Sequence, residues 1–341
     1  MTRVNRGSLI LVFALILLSL SSTASRAEWK DRWKLATLAP DGVGWARQIK
    51  AIVIPAIDRV TEKNLEIKVY WGGVMGDDSD YIKKMRIDQL QGAGLSGHGV
   101  TLAVPEMAVT ELPFLFRNWA EVDYIKGRMR DTFDKIAKKN GYFMVAWIDQ
   151  DFDRMYSVKH DMDSMEDISK IKALSWFGPM EEAVYKALGA VPVPIAMPEA
   201  PAAMRSGIGD TITAPAAWMV GTQLYSIAKH VSPLNIRYAP ALIVMTANRW
   251  ATMPQKYQDA YYACRDAVTQ EFCQEVRKDN QKCFKAMLDY GVTEKPASDK
   301  LIAEAKARTR PLYDKLANDL YPKELLDELL GYLQEYRKTH P

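Results

Sequence analysis

The chain has 341 residues, of which 48% are hydrophobic, 26% are charged and 10% are aromatic. These values lie close to the average for globular proteins, so they exclude an intrinsically disordered chain, a collagen-like repeat and a coiled-coil fibre. The 45 basic and 42 acidic residues give a formal charge of +3, and the length predicts about two domains.

The first 27 residues have the pattern of a cleavable signal peptide. Arg3 and Arg6 precede an apolar run over residues 9–20, and Ser25 and Ala27 provide the small residues of a cleavage site. The run is shorter than the ~20 residues of a membrane-spanning helix, and an uncleaved anchor is the alternative. Cleavage after Ala27 would leave 42 basic and 42 acidic residues. We therefore expect a periplasmic protein without the positive charge that favours nucleic acid or an anionic membrane.

Strands and helices alternate along the first half of the remaining chain. Residues 33–39 predict the first strand, and the Pro-Asp-Gly sequence at 40–42 ends it. The acid-rich segment at 77–80 predicts a helix start, because carboxylates stabilise helix N-termini. Further predicted strands cover residues 65–71, 93–96 and 142–148, and predicted helices cover 43–61, 77–89 and 120–140.

The second half repeats this alternation and then contains one long helical pattern. Gly189 follows the predicted helix at 179–188 as its C-terminal cap. Residues 254–290 have no internal Gly or Pro and predict a helix of about 50 Å, long enough to span two domains. The alternation predicts an α/β protein with mostly parallel sheets. The other predicted strands cover 155–158, 171–175, 191–195, 210–213 and 236–245, and the other predicted helices cover 198–206 and 300–338.

The three cysteines, Cys264, Cys273 and Cys283, all lie within the predicted long helix. On a straight helix neighbouring thiols would be about 14 Å apart, which is too far for a disulfide. Their spacing does not match a zinc site either. We predict buried thiols that pack in the core, with one free thiol as the alternative.

Two patterns suggest catalysis but lack the context that catalysis needs. Residues 92–97 match the GxGxxG dinucleotide pattern, yet a predicted helix rather than a strand precedes them. Ser96 and His98 suggest a secreted hydrolase, but this segment has no GxSxG nucleophile elbow. We expect neither a metal nor another cofactor, because the histidines are too scattered for a metal site. They are His98, His160, His230 and His340.

Several large aromatic residues lie in loops or at the ends of predicted strands. These are Trp45, Trp176, Phe177 and Trp218. Core packing would explain them. A ligand cleft would explain them equally well, because ligands of open α/β sheets bind beyond the carboxyl ends of the strands.

Several segments, in their order and spacing, support a resemblance to a known family. They are the strand and loop at 35–42, the glycine-rich turn and helix at 72–77 and 84–90, the Leu-Pro-aromatic segment at 111–116, and the segments at 167–172 and 187–194. Together they resemble the extracytoplasmic solute receptors of TRAP transporters, of the dicarboxylate-receptor type. The resemblance covers nearly the whole chain after the signal peptide.

This resemblance implies a two-lobed periplasmic binding protein with mixed sheets, hinge strands and a long helix that spans both lobes. Lobe I would comprise residues 28–149 and about 240–270, and lobe II would comprise residues 150–239. The long helix would cover 254–290, and C-terminal helices would follow over 291–341. The implied function is that of a monomeric, non-catalytic receptor that closes on one small molecule and docks on a membrane permease.

The chain departs from the family at positions that hold a ligand carboxylate. By this resemblance, Leu174 stands where the family has an arginine in a Lys-hydrophobic-Arg strand, and Asp153 stands where it has a second arginine. Ala214 stands where the family has an asparagine before a proline. Arg154 would restore a carboxylate clamp only if this alignment is shifted by one residue.

These departures favour a largely apolar or neutral ligand, because a buried carboxylate without a cationic partner costs several kcal/mol. We predict a lipid-like or sterol-like solute with one polar end fixed by Asp153, Ser96 or His98. Leu38, in the opening segment, and Leu174 would line the cleft. The alternatives are a periplasmic lipid or sterol carrier that does not serve a TRAP permease, and a secreted hydrolase.

Overall fold

The computed structural model describes residues 29–340, so the predicted signal peptide lies outside the described residues. Two mixed β-sheets with helices packed around them make up this part of the chain, which confirms the predicted α/β class. No helix within residues 29–340 is both long enough and apolar enough to cross a membrane.

The first sheet is built from four strands within residues 31–152 and one strand at residues 238–246. β1 pairs in parallel with β2 and β3, whereas β10 runs antiparallel between β3 and β4. β10 is buried along almost its whole length, as expected of a central strand covered on both faces. The spatial order is β2-β1-β3-β10-β4, with β1 at Asp31–Thr37, β2 at Leu65–Tyr70, β3 at Gly92–Leu95, β4 at Tyr142–Phe152 and β10 at Tyr238–Thr246.

The second sheet uses the middle of the chain and one short strand from the C-terminal part. β6 pairs in parallel with β7 and β8, and β5 runs antiparallel to β8 and β9. The spatial order is β11-β9-β5-β8-β6-β7, with β5 at Arg154–Ser157, β6 at Lys172–Ser175, β7 at Val191–Pro194, β8 at Thr211–Ala214, β9 at His230–Val231 and β11 at Thr293–Glu294.

Local sequence signals explain where several helices begin and end. Asp77 and Asp80 form a reciprocal capping box at the start of α3. Gly189 ends α7 with a φ of 92°, a left-handed conformation that favours glycine. The α-helices are α1 (Gly44–Gln48), α2 (Ile54–Val60), α3 (Asp78–Arg86), α4 (Gly97–Ala103), α5 (Trp119–Lys139), α6 (Met165–Ile168), α7 (Pro179–Leu188), α8 (Ala200–Ser206), α9 (Ala216–Gly221), α10 (Ala247–Ala251), α11 (Gln255–Asp289), α12 (Asp299–Thr309), α13 (Leu312–Lys315) and α14 (Lys323–Thr339).

The chain crosses between the sheets at two adjacent points. Asp153 alone separates β4 from β5, and Arg237 immediately precedes β10. The two crossings are hydrogen-bonded to each other, because the Asp153 amide donates to the Arg237 carbonyl at 2.8 Å and the Ile236 amide donates to the Asp153 carbonyl at 3.2 Å. These paired crossings are the hinge strands that the resemblance implies.

The long helix α11 contacts the first sheet and also α9, the helix that follows β8 of the second sheet. Its 35 residues span about 52 Å at the usual rise per residue. Near its start the Tyr261 hydroxyl donates to the Val145 carbonyl of β4 at 2.9 Å. Near its end Asn280 accepts from the Ala217 amide of α9 at 3.0 Å and donates to the Gln150 carbonyl at 2.8 Å. The predicted long helix is therefore present and reaches both halves of the molecule.

The C-terminal part differs from the prediction in two ways. Residues 291–341 are not purely helical, because β11 adds a strand to the second sheet. The predicted helical tail at 300–338 is divided into α12, α13 and α14, with Pro311 and Pro322 at the breaks. Proline lacks the amide hydrogen that a continuous helix needs, which explains both interruptions.

All three cysteines are free thiols. Cys273 is buried, as the sequence predicts, and burial raises its pKa. Cys264 and Cys283 are only partly buried.

We propose that the two sheets are the cores of lobe I and lobe II. Sheet membership supports the boundaries drawn from the sequence near residues 150 and 240, because β4 and β10 belong to the first sheet and β5 to β9 belong to the second. The strand β11 would add residues 293–294 to lobe II.

Candidate functional site

A narrow cleft of about 50 Å³, here called the aromatic cleft, lies between the two lobes. In this conformation it has room for only a few water-sized molecules. None of its lining residues is an Asp, Glu, Lys, Arg or His. The lining consists of Leu38, Ala39, Pro40, Val43, Gly44, Trp45, Ser96, Gln150, Trp176, Met197, Pro215, Ala217, Trp218, Val276 and Asn280.

Hydrogen bonds to backbone carbonyls fix two of the three tryptophans of the cleft. The Trp45 indole donates to the Asp149 carbonyl at 3.0 Å, and the Trp176 indole donates to the Thr213 carbonyl at 2.8 Å. Trp176 and Trp218 lie with their ring centroids 6.5 Å apart and their planes inclined by 21°. Rigid aromatic faces of this kind bind apolar or planar groups well.

A second cavity of about 420 Å³, here called the acidic chamber, adjoins the cleft and shares Leu38, Trp176 and Met197 with it. Its ionisable lining residues are Asp77, Asp78, His98, Glu182 and Glu199.

Three groups of the acidic chamber have shifted pKa values. Burial would raise the pKa of Asp77, but hydrogen bonds from Ser79 and Asp80 outweigh it and lower the pKa. Burial raises the pKa of Asp78 to about 6, although hydrogen bonds from Ser96 and Gly99 oppose the shift. Burial also lowers the pKa of His98, against the attraction of Asp77. The shifts of Asp78 and His98 disfavour the charged forms of these two groups.

A buried charge cluster, here called the hinge cluster, surrounds Arg237. Its other members are Glu111 from lobe I, Asp153 from the crossing and Glu181 from α7, and none of the four residues is more than 3% exposed. Arg237 donates to Glu111. Its Nη2 lies 2.7 Å from Asp153 Oδ2 and 3.8 Å from Glu181 Oε1, close but not aligned for hydrogen bonds.

The hinge cluster contains three carboxyl groups and one guanidinium group. Burial raises the pKa of Glu111 to about 8 and that of Asp153 to about 7, although the charge of Arg237 opposes both shifts. Burial also raises the pKa of Glu181. The cluster therefore retains protons at pH values at which exposed carboxyl groups have lost them.

The hinge cluster also supports the wall of the aromatic cleft. Glu181 Oε2 accepts from the Trp176 amide at 2.9 Å, the Phe177 amide at 3.0 Å and the Ser175 hydroxyl at 3.0 Å. The Arg237 guanidinium lies 4.4 Å from the centroid of the Phe177 ring. The turn that presents Trp176 to the cleft is thus attached directly to the hinge.

We expect Asp153→Asn to change how stability depends on pH. Folded Asp153 keeps its proton up to about pH 7, whereas an unfolded chain releases it near pH 4, so this group makes the free energy of unfolding fall as pH rises between those values. Asparagine has no such proton. The free energy of unfolding of the variant, measured by urea titration at each pH from 4 to 8, should therefore rise relative to that of the unmodified protein. The expected rise is up to about 1.4 kcal/mol per pH unit. Parallel profiles of the free energy of unfolding against pH for the two proteins would contradict this expectation. Asp131→Asn, at an exposed position, is the control.

A second buried cluster lies in lobe I, behind Trp45. Asp149 Oδ1 accepts from Lys126 Nζ at 2.8 Å and from the Tyr238 hydroxyl at 2.7 Å, and Asp149 Oδ2 accepts from Arg277 Nε at 2.8 Å. Burial alone would raise the pKa of Asp149, but Lys126 and Arg277 outweigh it and hold the pKa below its usual value. Asp149 thus joins β4, β10, α5 and α11 at the base of the cleft.

The lobes touch at Gly97, and we expect Gly97→Ala to hold them apart. A Cβ at Gly97, at the start of α4 in lobe I, would overlap the buried Phe177 ring of lobe II. Small-angle X-ray scattering should give a larger radius of gyration for this variant than for the unmodified protein. Gly331→Ala is the matched control, because nothing lies within 4 Å of a Cβ at that helical position. An unchanged radius for Gly97→Ala would contradict this expectation.

The structure brings five of the candidate ligand-binding residues together and separates the other five from them. Leu38, Trp45, Ser96, Trp176 and Trp218 line the aromatic cleft. His98 lines the neighbouring acidic chamber. Four candidates are fully buried and line neither cavity, namely Asp153 in the hinge cluster, Leu174 against Gly209, Phe177 beneath Gly97, and Ala214 in β8.

The structure does not support two of the alternatives, a carboxylate clamp at Arg154 and a hydrolase site at Ser96 and His98. Arg154 forms an ion pair with Glu294 and lies 4.2 Å from the Phe284 ring centroid, so it does not face the aromatic cleft. The Ser96 hydroxyl donates to Asp78 rather than to His98, and His98 Nδ1 is buried without a hydrogen-bond partner. A Ser-His nucleophile would need a hydrogen bond between those two side chains.

Sequence reasoning missed several residues of the site. Gln150 and Asn280 supply polar groups to the cleft, and Arg237 organises the hinge cluster. The sequence contains one indication that Arg237 is unusual, namely an ionisable residue immediately before the apolar strand β10. Among residues 29–340 no group of three or more His, Cys, Asp or Glu side chains is arranged to hold a metal ion.

Comparison with known proteins gives relatives of similar length along almost the whole chain. A solute-binding protein of Chromohalobacter salexigens is 22% identical over 335 residues, covering 98% of each chain. The C4-dicarboxylate-binding periplasmic protein DctP of Rhodobacter capsulatus is 23% identical over 325 residues, covering 93% of this chain and 95% of the relative.

Solved structures show the same two-lobed fold. The sugar acid binding protein DctPAm of Advenella mimigardefordensis, in complex with galactonate, has a TM-score of 0.83 at 17% identity over 90% of this chain and 98% of that one. A TRAP periplasmic solute-binding protein of Sulfurospirillum deleyianum, with bound succinate, has a TM-score of 0.80 at 17% identity over 88% and 98%. These likenesses confirm the predicted fold.

The family model of the bacterial extracellular solute-binding proteins, family 7, matches residues 56–319. This match covers more than half of the chain and confirms the resemblance that the sequence suggested. The chain therefore belongs to the family 7 bacterial extracellular solute-binding proteins, the periplasmic solute receptors of TRAP transporters.

Proposed function

We propose that this protein captures one small, largely apolar or neutral solute in the aromatic cleft and delivers it to the membrane permease of a TRAP transporter. The observation that carries this proposal is the lining of the cleft, which has three tryptophans and no ionisable side chain. Because the cleft is too narrow for such a solute in this conformation, the ligand would enter while the lobes are apart and lie against Trp45, Trp176 and Trp218. Closure of the lobes about the paired crossings would then remove it from water.

Electrostatics supports a ligand without a carboxylate. A buried carboxylate needs a cationic partner, and its absence costs several kcal/mol. Arg237 is close to the cleft wall, but Glu111, Asp153 and Glu181 already surround it. The acidic chamber next to the cleft would repel an anion further. Apolar contact, by contrast, stabilises a bound ligand by about 25 cal/mol per Å² of buried surface.

An organic acid is the second candidate ligand, because the solved neighbours contain galactonate and succinate. A lipid or sterol carrier without a TRAP permease is a further alternative, since an apolar cleft would also suit that role. Catalysis has less support, because the Ser96 hydroxyl donates to a buried carboxylate instead of to a base.

Thermal unfolding with a panel of solutes separates these ligand classes. Succinate and galactonate should leave the melting temperature unchanged, whereas neutral aromatic or alicyclic solutes such as indole and cyclohexanol should raise it in proportion to ln(1 + [L]/Kd). Stabilisation by the acids and not by the neutral solutes would refute the proposal.

We expect Trp45→Ala to weaken binding of a neutral solute at least about tenfold, because buried aromatic contacts dominate most binding sites. Isothermal titration calorimetry measures this directly. Trp29→Ala is the matched control, because Trp29 is partly buried and packs on Tyr257 away from the cleft. Equal loss of affinity in both variants would contradict a role for Trp45 in the site.

A further inference from the structure

The aromatic cleft and the acidic chamber adjoin and form two chemically different ends of the candidate site. They share Leu38, Trp176 and Met197, so a ligand that rests on Trp176 can contact both. One end has only uncharged side chains. The other has Asp77, Asp78, Glu182 and Glu199 together with His98, and neither a lysine nor an arginine lines it.

Several hydrogen-bond donors in the cleft are used within the protein. The indoles of Trp45 and Trp176 donate to backbone carbonyls at 3.0 and 2.8 Å. The Asn280 amide donates to the Gln150 carbonyl, and the Ser96 hydroxyl donates to Asp78. The two indoles and the Ser96 hydroxyl therefore have no donor left to offer to a ligand carboxylate, whereas the Asn280 amide has a second hydrogen.

Two buried acceptors, by contrast, have no donor. Asp78 is 2% exposed and lines the chamber, and its Oδ1 has no hydrogen-bond partner. Gln150 is 6% exposed and lines the cleft, and its Oε1 also has none. Leaving a buried acceptor unpaired is costly, so a ligand that donates hydrogen bonds here gains affinity.

The carboxylate of Asp78 is held in one orientation. Its Oδ2 accepts from the Ser96 hydroxyl, from the Ser96 amide at 3.3 Å and from the Gly99 amide at 3.2 Å. These three donors prevent the group from turning to satisfy Oδ1 within the protein. The free oxygen is therefore part of a rigid, preorganised wall.

We propose that the ligand has an apolar body and one hydrogen-bond-donating, positively charged nitrogen. The body lies between Trp45, Trp176 and Trp218, and the nitrogen lies in the acidic chamber next to Asp78, with Glu182 adding negative potential. This substrate class rests on the proposed function, because it needs a ligand in the aromatic cleft. A cationic donor would match both the unpaired acceptors and the negative charge of the chamber.

Three probes with the same indole body and different ends test this proposal. Tryptamine carries an ammonium group, tryptophol a hydroxyl group and indole-3-propionate a carboxylate. Titration calorimetry on the full-length protein should give at least about tenfold tighter binding for tryptamine than for tryptophol, with indole-3-propionate weakest. Benzylamine and cyclohexylamine, with their alcohol and acid counterparts, extend the comparison to smaller bodies.

Asp78→Asn should reduce the affinity for the amine much more than the affinity for the alcohol, and so remove most of the preference for the amine. Since Asp78 is buried and this variant could fail to fold, Glu182→Gln is the second variant and should reduce the same preference by a few-fold. Glu166→Gln is its matched control, because Glu166 pairs with Lys170 across one helical turn as Glu182 pairs with Lys186, but lies outside the chamber.

The outcomes separate the two proposals. Equal affinity for an alcohol and its matching amine would overturn the proposed positively charged nitrogen, and so would the absence of binding by every amine. In either case an alcohol that binds would still support an apolar ligand site in the aromatic cleft. Tightest binding by the acids would overturn the proposed function itself.

Discussion

Arg237→Met is expected to lower the free energy of unfolding by at least about 3 kcal/mol. The substitution removes the only cation of the hinge cluster and leaves Glu111, Asp153 and Glu181 buried together. Breaking a buried ion pair in this way typically costs about 3–5 kcal/mol, because the remaining carboxyl groups must either stay charged without a partner or take up protons. Urea unfolding followed by tryptophan fluorescence measures the loss.

A variant in which all four residues of the hinge cluster are uncharged distinguishes an effect of charge on stability from an effect of packing. Arg237→Met combined with Glu111→Gln, Asp153→Asn and Glu181→Gln should recover a large part of the lost stability, since no buried charge remains. Arg154→Met is the control at the same hinge, because Arg154 pairs with Glu294 near the surface, where such pairs contribute about 0–1 kcal/mol. A loss for Arg237→Met as small as that of the control would mean that the hinge cluster does not stabilise the fold.

Asp149→Leu should be almost as destabilising, by about 3 kcal/mol or more. It leaves Lys126 and Arg277 facing each other without the carboxylate that accepts from both. It also removes the acceptor for the Tyr238 hydroxyl. Thermal and urea unfolding should both show the loss.

Asp123→Asn is the matched control for that experiment. Asp123 pairs with the same Arg277 but is largely exposed, so its removal should cost less than about 1 kcal/mol. If Asp149→Leu were as mild as Asp123→Asn, the buried triad would not hold β4 against α5 and α11.

Local sequence signals predicted much of the fold. The helix at 179–188 is found with the predicted bounds, because Pro179 can occupy the first turn and Gly189 ends the helix with a positive φ. The long helix could be predicted because residues 255–289 contain neither Gly nor Pro. The predicted tail at 300–338 is helical but divided into three helices, because Pro311 and Pro322 interrupt it.

The candidate site was predictable only in part. Tryptophans next to strand ends indicated the cleft, because that position is set by the topology of α/β sheets. The hinge cluster was not predictable, since Glu111, Asp153, Glu181 and Arg237 are far apart in sequence and meet only where the chain crosses between lobes. The resemblance also placed Asp153 and Leu174 in the ligand site, but both side chains are buried and line neither cavity.

The most direct test of the proposed ligand class is native mass spectrometry of the intact protein as purified from the periplasm, followed by identification of any molecule released on unfolding. The uncharged lining of the aromatic cleft predicts a solute with an apolar body and no carboxylate. A released dicarboxylate or sugar acid, bound one to one, would contradict the account.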